Sequence, residues 1–118
     1  MLESTTLIPI APSVDDLYPQ NRYVVEDTAA GGKIVACGTL LLELKFIHNG
    51  GWCGHIEDVV VDASDRGRGL GKLIVTKLKD AAAEFGCYKA ILDCAEKNVG
   101  FYQKCGFRKK EVCMALYF

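Results

Sequence analysis

The stretch Arg66-Gly67-Arg68-Gly69-Leu70-Gly71-Lys72 joins two different hydrophobic periodicities, and no other feature restricts the fold as much. Before it, Trp52 to Val61 reads as a strand ending in Val59-Val60-Val61, an apolar run that suits burial on both faces. After it, Leu70, Leu73, Ile74, Leu78, Ala81, Ala82 and Phe85 recur at spacings of three and four. That stripe predicts one amphipathic helix, with Lys72, Lys79, Asp80 and Glu84 largely off it and Gly86 placed to end it. A buried strand that feeds a helix through glycines belongs to an α/β architecture. The glycines let backbone N–H groups approach a ligand, and the helix start adds positive potential, so a phosphate is the natural guest. Arg66, Arg68 and Lys72 supply charge. A solvated turn that merely needs glycine is the alternative.

The flanking elements fit the same class. Thr5 to Ile10 predicts a short strand and Ser13 the start of a helical turn. Arg22 to Glu26 and Ile34 to Phe46 read as strands separated by a turn at Ala29 to Lys33, with a second turn at His48 to Gly51. Tyr88 to Leu92 predicts a short strand, Asn98 to Lys104 a short helix stopped by Gly106, and Val112 to Tyr117 a closing strand. The expectation is one α/β domain over residues 1–118, with a mixed, mostly antiparallel sheet flanked by helices.

Charge and cysteine usage exclude several function classes. The formal net charge of -1 gives no general affinity for nucleic acid or membrane. No run approaches the ~18 apolar residues of a membrane span. Met1 to Pro12 lacks a basic leader and a long apolar run, so the six cysteines, none in a C-x-x-C pair, read as reduced thiols of a cytoplasmic protein. His48, Cys53 and His55 lack a fourth ligand at a usual metal spacing, so no metal is expected. A thiol nucleophile, Cys53 or Cys94 beside His55, is the weaker chemical reading.

Two glycine motifs fail against the sequence. A P-loop requires glycine where Arg66 stands and Ser or Thr where Leu73 stands. A dinucleotide fingerprint requires glycine at Lys72. What remains is R-x-x-G-x-G, formed by Arg66, Gly69 and Gly71, and it resembles the pyrophosphate loop of the GCN5-related N-acetyltransferase (GNAT) superfamily. Asn98-Val99-Gly100-Phe101-Tyr102 with Cys105-Gly106-Phe107 resembles the superfamily's asparagine, tyrosine and Gly-Phe segment. Gly54 to Asp62, with Gly86 to Lys89 and Leu92-Asp93-Cys94, is similar to the eukaryotic glucosamine 6-phosphate N-acetyltransferases within it. The similarity runs from about Ile34 to Phe107.

The resemblance implies a GNAT-type fold and transfer of acetyl from acetyl-coenzyme A to glucosamine 6-phosphate. The product, N-acetylglucosamine 6-phosphate, would serve UDP-N-acetylglucosamine synthesis. It implies that Arg66, Gly67, Arg68, Gly69, Leu70 and Gly71 hold the pyrophosphate, and that Val59, Val60, Val61 and Asn98 line the pantetheine arm. Tyr102 is implied to hydrogen-bond the sulfur, and an unpaired N–H near Val59 to stabilise the oxyanion. Glu57, Asp58 and Asp93 are the carboxylates that would hold the amino sugar and accept a proton from its ammonium. Lys45 and His48 are the nearest cations for the sugar phosphate. Cys87 and Tyr88 match a segment that reaches the substrate of a second subunit, which implies a homodimer with a shared acceptor site. The superfamily places a strand and two helices before the strand at Arg22, and the residues here are too few for all three, so the expectation is either a reduced N-terminal region or further residues outside this sequence. Another small amine or a protein amine as acceptor stays open, as does a coenzyme A-binding module without activity.

Overall fold

The computed structural model describes residues 5–10 and 20–118. Five strands form one sheet in sequential order: β1 (Thr5–Ile10), β2 (Gln20–Asp27), β3 (Lys33–Leu44), β4 (Trp52–Val61) and β5 (Lys89–Ile91). β1 to β4 pair antiparallel, and β5 joins β4 in parallel. The helices are α1 (Ile47–Gly50), a single turn where the sequence predicts a turn, α2 (Leu70–Phe85) and α3 (Val99–Lys104). The helical turn expected from Ser13 lies outside the described residues.

Packing follows the two periods of the sequence. Leu70, Ile74, Val75, Leu78 and Ala82 are the buried residues of α2, which ends at Gly86 in the left-handed conformation. The facing residues of β3 are Gly38, Leu40 and Leu42, which alternate with half-buried Cys37, Thr39, Leu41 and Glu43 on the opposite face. Gly38 is demanded by closeness: a Cβ there would lie 2.8 Å from Leu78 Cδ1 and 2.9 Å from Ile74 Cγ2. Both neighbours are fully buried and have little room to retreat. Gly38→Val is therefore expected to overpack the sheet–helix interface by about 2–3 kcal/mol. In a domain of this size that lowers Tm by roughly 10 °C, read from a circular-dichroism melt; an unchanged Tm would contradict the packing.

Two expectations are corrected. Val59-Val60-Val61 is not buried on both faces, since Val60 is 56% exposed. β5 pairs β4 only from Cys53 to His55, so the far half of β4 has no neighbour on that edge among the described residues. Val112 to Tyr117 forms no strand, because its alternation supplies propensity but the backbone finds no ladder partner among the described residues. Val112, Met114, Leu116, Tyr117 and Phe118 are left exposed.

Candidate active site

The site begins with a defect in the β3–β4 ladder. Cys37 pairs with Val60 and Thr39 with Glu57, so Gly38 alone faces both Asp58 and Val59. This is a β-bulge, and Asp58 takes the left-handed conformation (φ 53°) that aspartate tolerates better than most residues. The Cys37 thiol lies 3.7 Å from the Asp58 carbonyl. A bulge bends its strand and takes a residue out of the ladder.

β4 and β5 diverge just beyond their short pairing, and a cavity of about 250 Å³ opens in the cleft. Ile56, Glu57, Asp58 and Val59 line it from β4, Leu92, Asp93 and Cys94 from the segment after β5, and Asn98 and Tyr102 from α3 and the turn before it. The structure thus brings together all four residues for which the sequence suggests catalytic roles: Glu57, Asp58, Asp93 and Tyr102. Burial pushes the Tyr102 phenol above its ordinary pKa, so it stays a proton-bearing donor. Its ring meets Phe101 and Phe107 edge-on, with centroids 5.0 and 6.1 Å away.

The glycine loop follows β4. Asp62 caps a short 3-10 turn (Ala63–Asp65), accepting the Ser64 N–H at 3.0 Å. Gly67 (φ 84°) and Gly69 (φ 78°) are both left-handed, and a Cβ on either would meet no atom within 4 Å. Glycine serves conformation there, not packing. The Leu73 N–H donates to the Gly69 carbonyl at 3.1 Å as α2 begins, so the amides of Leu70, Gly71 and Lys72 precede the first bond of the helix and point toward its open end. Gly71 has a different reason: a Cβ would stand 3.2 Å from the Phe101 ring. It lets α3, and with it Tyr102, come close to the start of α2. Lys79 strengthens this contact, its ammonium donating to the Cys105 carbonyl just after α3.

Arg68, expected from the sequence to offer positive charge to a phosphate, is committed to protein carboxylates instead. Its Nη1 lies 2.8 Å from Asp65 Oδ1 and 3.1 Å from Asp27 Oδ2. Hydrogen bonds to Asp65 and then Asp27 raise the pKa of the guanidinium further. Arg66 and Lys72 show no such engagement among the described residues: Arg66 is exposed at the loop and Lys72 is exposed on the first turn of α2. Nothing in the local sequence marks Asp27 and Asp65 as partners of Arg68; a basic side chain inside a glycine loop is the only hint.

Lys45, Cys87 and Tyr88 are not brought to the cavity. Tyr88 N–H donates to Trp52 O at 2.9 Å and Lys45 N–H to Gly51 O at 2.8 Å, which places them at the start of β4. Trp52 and Asp58 are separated by roughly 20 Å of extended strand. The Lys45 ammonium sits 3.0 Å from Glu43 Oε1, the same oxygen that lies 2.7 Å from His55 Nε2. Hydrogen bonds from His55 and then Lys45 hold the Glu43 carboxyl below its usual range. His55 is thereby directed to Glu43, away from the thiol roles considered for it, and burial raises the Cys53 pKa above its ordinary value, which disfavours the reactive thiolate. No cluster of three metal-ligating side chains occurs among the described residues. The His48 side chain lies outside what is described.

Comparison with known proteins places these features in a family context. The family model of the acetyltransferase (GNAT) family matches residues 5–107. Glucosamine 6-phosphate N-acetyltransferase 1 of Dictyostelium discoideum is 55% identical over 85 residues, covering 72% of this chain and 54% of that protein. Glucosamine 6-phosphate N-acetyltransferase of Schizosaccharomyces pombe is 43% identical over 94 residues, covering 80% and 84%. The crystal structure of the Arabidopsis thaliana glucosamine-6-phosphate N-acetyltransferase aligns with a TM-score of 0.82 at 47% identity, over 84% of this chain and 67% of that one. The chain spans little more than half the length of the Dictyostelium protein.

Proposed function

The chain belongs to the acetyltransferase (GNAT) family, and from that premise we propose that it transfers acetyl from acetyl-coenzyme A to the amine of glucosamine 6-phosphate. The observation that carries the proposal is the shared cavity of Glu57, Asp58, Asp93, Asn98 and Tyr102 at the β4–β5 cleft. The names of the relatives support the sugar acceptor. The product would serve UDP-N-acetylglucosamine synthesis.

In this reading the pyrophosphate lies against the amides from Arg66 to Gly71, with Arg66 and Lys72 as the local cations. The arm runs along Val59, Val60 and Val61, past Asn98, into the cleft. A carboxylate among Glu57, Asp58 and Asp93 takes a proton from the sugar ammonium, directly or through water. The free amine attacks the thioester carbonyl, forming the C–N bond, and a strand N–H near Val59, beside the bulge, would stabilise the oxyanion. Collapse breaks the C–S bond. Tyr102 hydrogen-bonds the departing sulfur, which takes up the proton that the nitrogen sheds, directly or by relay through the phenol, leaving N-acetylglucosamine 6-phosphate and coenzyme A as its thiol. No covalent acetyl-enzyme is involved.

The active form in this proposal is a homodimer. Its support is the distance between the cavity and the residues expected at the sugar: a second subunit would bring its own Lys45, Cys87 and Tyr88 to this chain's carboxylates. The exposed apolar segment from Val112 to Phe118 is consistent with a partner surface. The six free thiols favour a reducing compartment, the cytoplasm. No helix among the described residues is long and apolar enough to cross a membrane.

The phosphate provides the test. The parent protein is expected to prefer glucosamine 6-phosphate to glucosamine by roughly a hundredfold in kcat/KM, the worth of one or two charge-assisted contacts. Lys45→Ala should erode that preference about tenfold and leave acetyl-coenzyme A affinity unchanged. Equal kcat/KM for both sugars in the parent would remove the sugar phosphate and leave another amine as acceptor. No turnover with any amine would leave a coenzyme A-binding module.

A further inference from the structure

We propose that Asp27, at the end of β2, is a positioning residue for the cofactor loop and acts through Arg68. The inference rests on the acetyltransferase reading of that loop. Gly67 and Gly69 reach their left-handed conformations with no neighbouring atom within 4 Å of a Cβ position, so packing does not hold the backbone between them. Glycine also carries the largest conformational entropy of any residue. Left alone, such a loop would have to be ordered by each arriving ligand, and that cost subtracts from affinity.

Arg68 is the one side chain between the two glycines, and it is held from both sides. Asp65 reaches it from the preceding 3-10 turn at 2.8 Å. Asp65 is itself fixed locally, its N–H donating to the Asp62 carbonyl at 2.9 Å, with Lys33 Nζ 3.9 Å from its carboxylate. Asp27 reaches Arg68 from a different strand at 3.1 Å. Asp27 is only 8% exposed and is the one buried charged residue among those described. Its second oxygen accepts the Ala29 N–H at 3.0 Å, so the carboxylate cannot swing away without uncapping the turn after β2. Exposed ion pairs contribute little. This one is largely screened from solvent and spans 41 residues of sequence, tying the loop to the turn of the β2–β3 hairpin. The fork of carboxylates also keeps the Arg68 guanidinium beside the loop and leaves the amides of Gly67 to Gly71 to face phosphate.

The test uses the full chain and coenzyme A itself as probe. In Asp27→Asn, calorimetry should show coenzyme A binding weakened roughly tenfold. The KM for acetyl-coenzyme A should rise by the same factor, with kcat at saturation and the KM for the sugar each within about twofold of the parent. Arg68→Met should match it, and the double variant should be no worse than either single change. Arg68→Lys, which keeps a cation beside Asp27, should recover most of the loss. Amide hydrogen exchange at Gly67 to Gly71 without ligand should be roughly tenfold faster in Asp27→Asn. That measurement separates the two ideas: faster exchange, alongside a parent protein that binds no coenzyme A, upholds the clamp and removes the acetyltransferase reading. Unchanged exchange together with unchanged affinity overturns the clamp. So does tighter binding, which would mean that Asp27 holds Arg68 back from the phosphates, and so does an Asp27→Asn chain unfolded at the assay temperature.

Discussion

Gly69→Asp is expected to abolish measurable coenzyme A binding at ordinary concentrations, a loss of at least ~100-fold, while leaving the chain folded. The two halves of this expectation have separate causes. Gly69 is the N-cap of α2 and is left-handed, a conformation that aspartate adopts at modest cost. No atom lies near the position of the new side chain, so packing is undisturbed. The new carboxylate would sit at the helix start, where its charge is favourable to the helix. It would do so by taking the amides that the proposed function assigns to the pyrophosphate and by opposing the phosphates with a like charge. Calorimetry with coenzyme A, beside a thermal melt, reads both effects. A folded variant with parental affinity would place the cofactor elsewhere.

Tyr102→Phe is expected to lower kcat roughly 10²-fold or more, in the range typical of a positioned acid, with the KM for acetyl-coenzyme A changed only a few-fold. The ring would remain, so the edge contacts to Phe101 and Phe107 are kept. In the proposed reaction, what disappears is the donor to a sulfur that becomes anionic as the C–S bond breaks, an interaction strongest in the transition state. The raised Tyr102 pKa sets the sign of the pH profile. The hydroxyl keeps its proton throughout the physiological range, so this group imposes no loss of rate until the pH exceeds the ordinary tyrosine value of about 10. Stopped-flow thiol release across pH decides the assignment. A variant as fast as the parent would reduce Tyr102 to a packing residue.

Much of this architecture is legible in the sequence, and the reason differs by element. α2 is announced by period and punctuation together: Leu70 to Phe85 carries the stripe, and Gly86 takes the left-handed cap that its position calls for. β1 and β4 have the bounds that the sequence predicts, Thr5–Ile10 and Trp52–Val61, and β4 is bracketed by Gly50-Gly51 before it and the glycine loop after it. The absence of a closing strand is not legible, since alternation at Val112 to Tyr117 describes an appetite for pairing and says nothing of a partner. The site divides in the same way. Motif spacing reaches Glu57, Asp58, Asp93, Asn98 and Tyr102, and all lie on one cavity. Asp27 escapes it, because its meaning depends on a residue 41 positions away. Lys45 is close to the carboxylates in the sequence and far from them in the folded chain, since an extended strand separates residues faster than any other conformation.

The bulge at Asp58 and Val59 changes the parity of β4. Up to that point the even-numbered residues are turned toward α2: Gly54 faces Ala82, and Ile56 belongs to the same core. Beyond it the odd-numbered ones are, with Val59 beside Gly38 and Val61 beside Gly71. A single supernumerary residue therefore decides on which side of the sheet the strand delivers everything that follows it. Without that extra count, Val60 would be driven inward and Val61 outward, and the glycine loop would leave the strand half a pleat out of phase with the helix it must start. The strand's one irregularity is thus an indexing device, setting Glu57 before it and the glycine loop after it in a fixed relation that a regular ladder of the same length would not give.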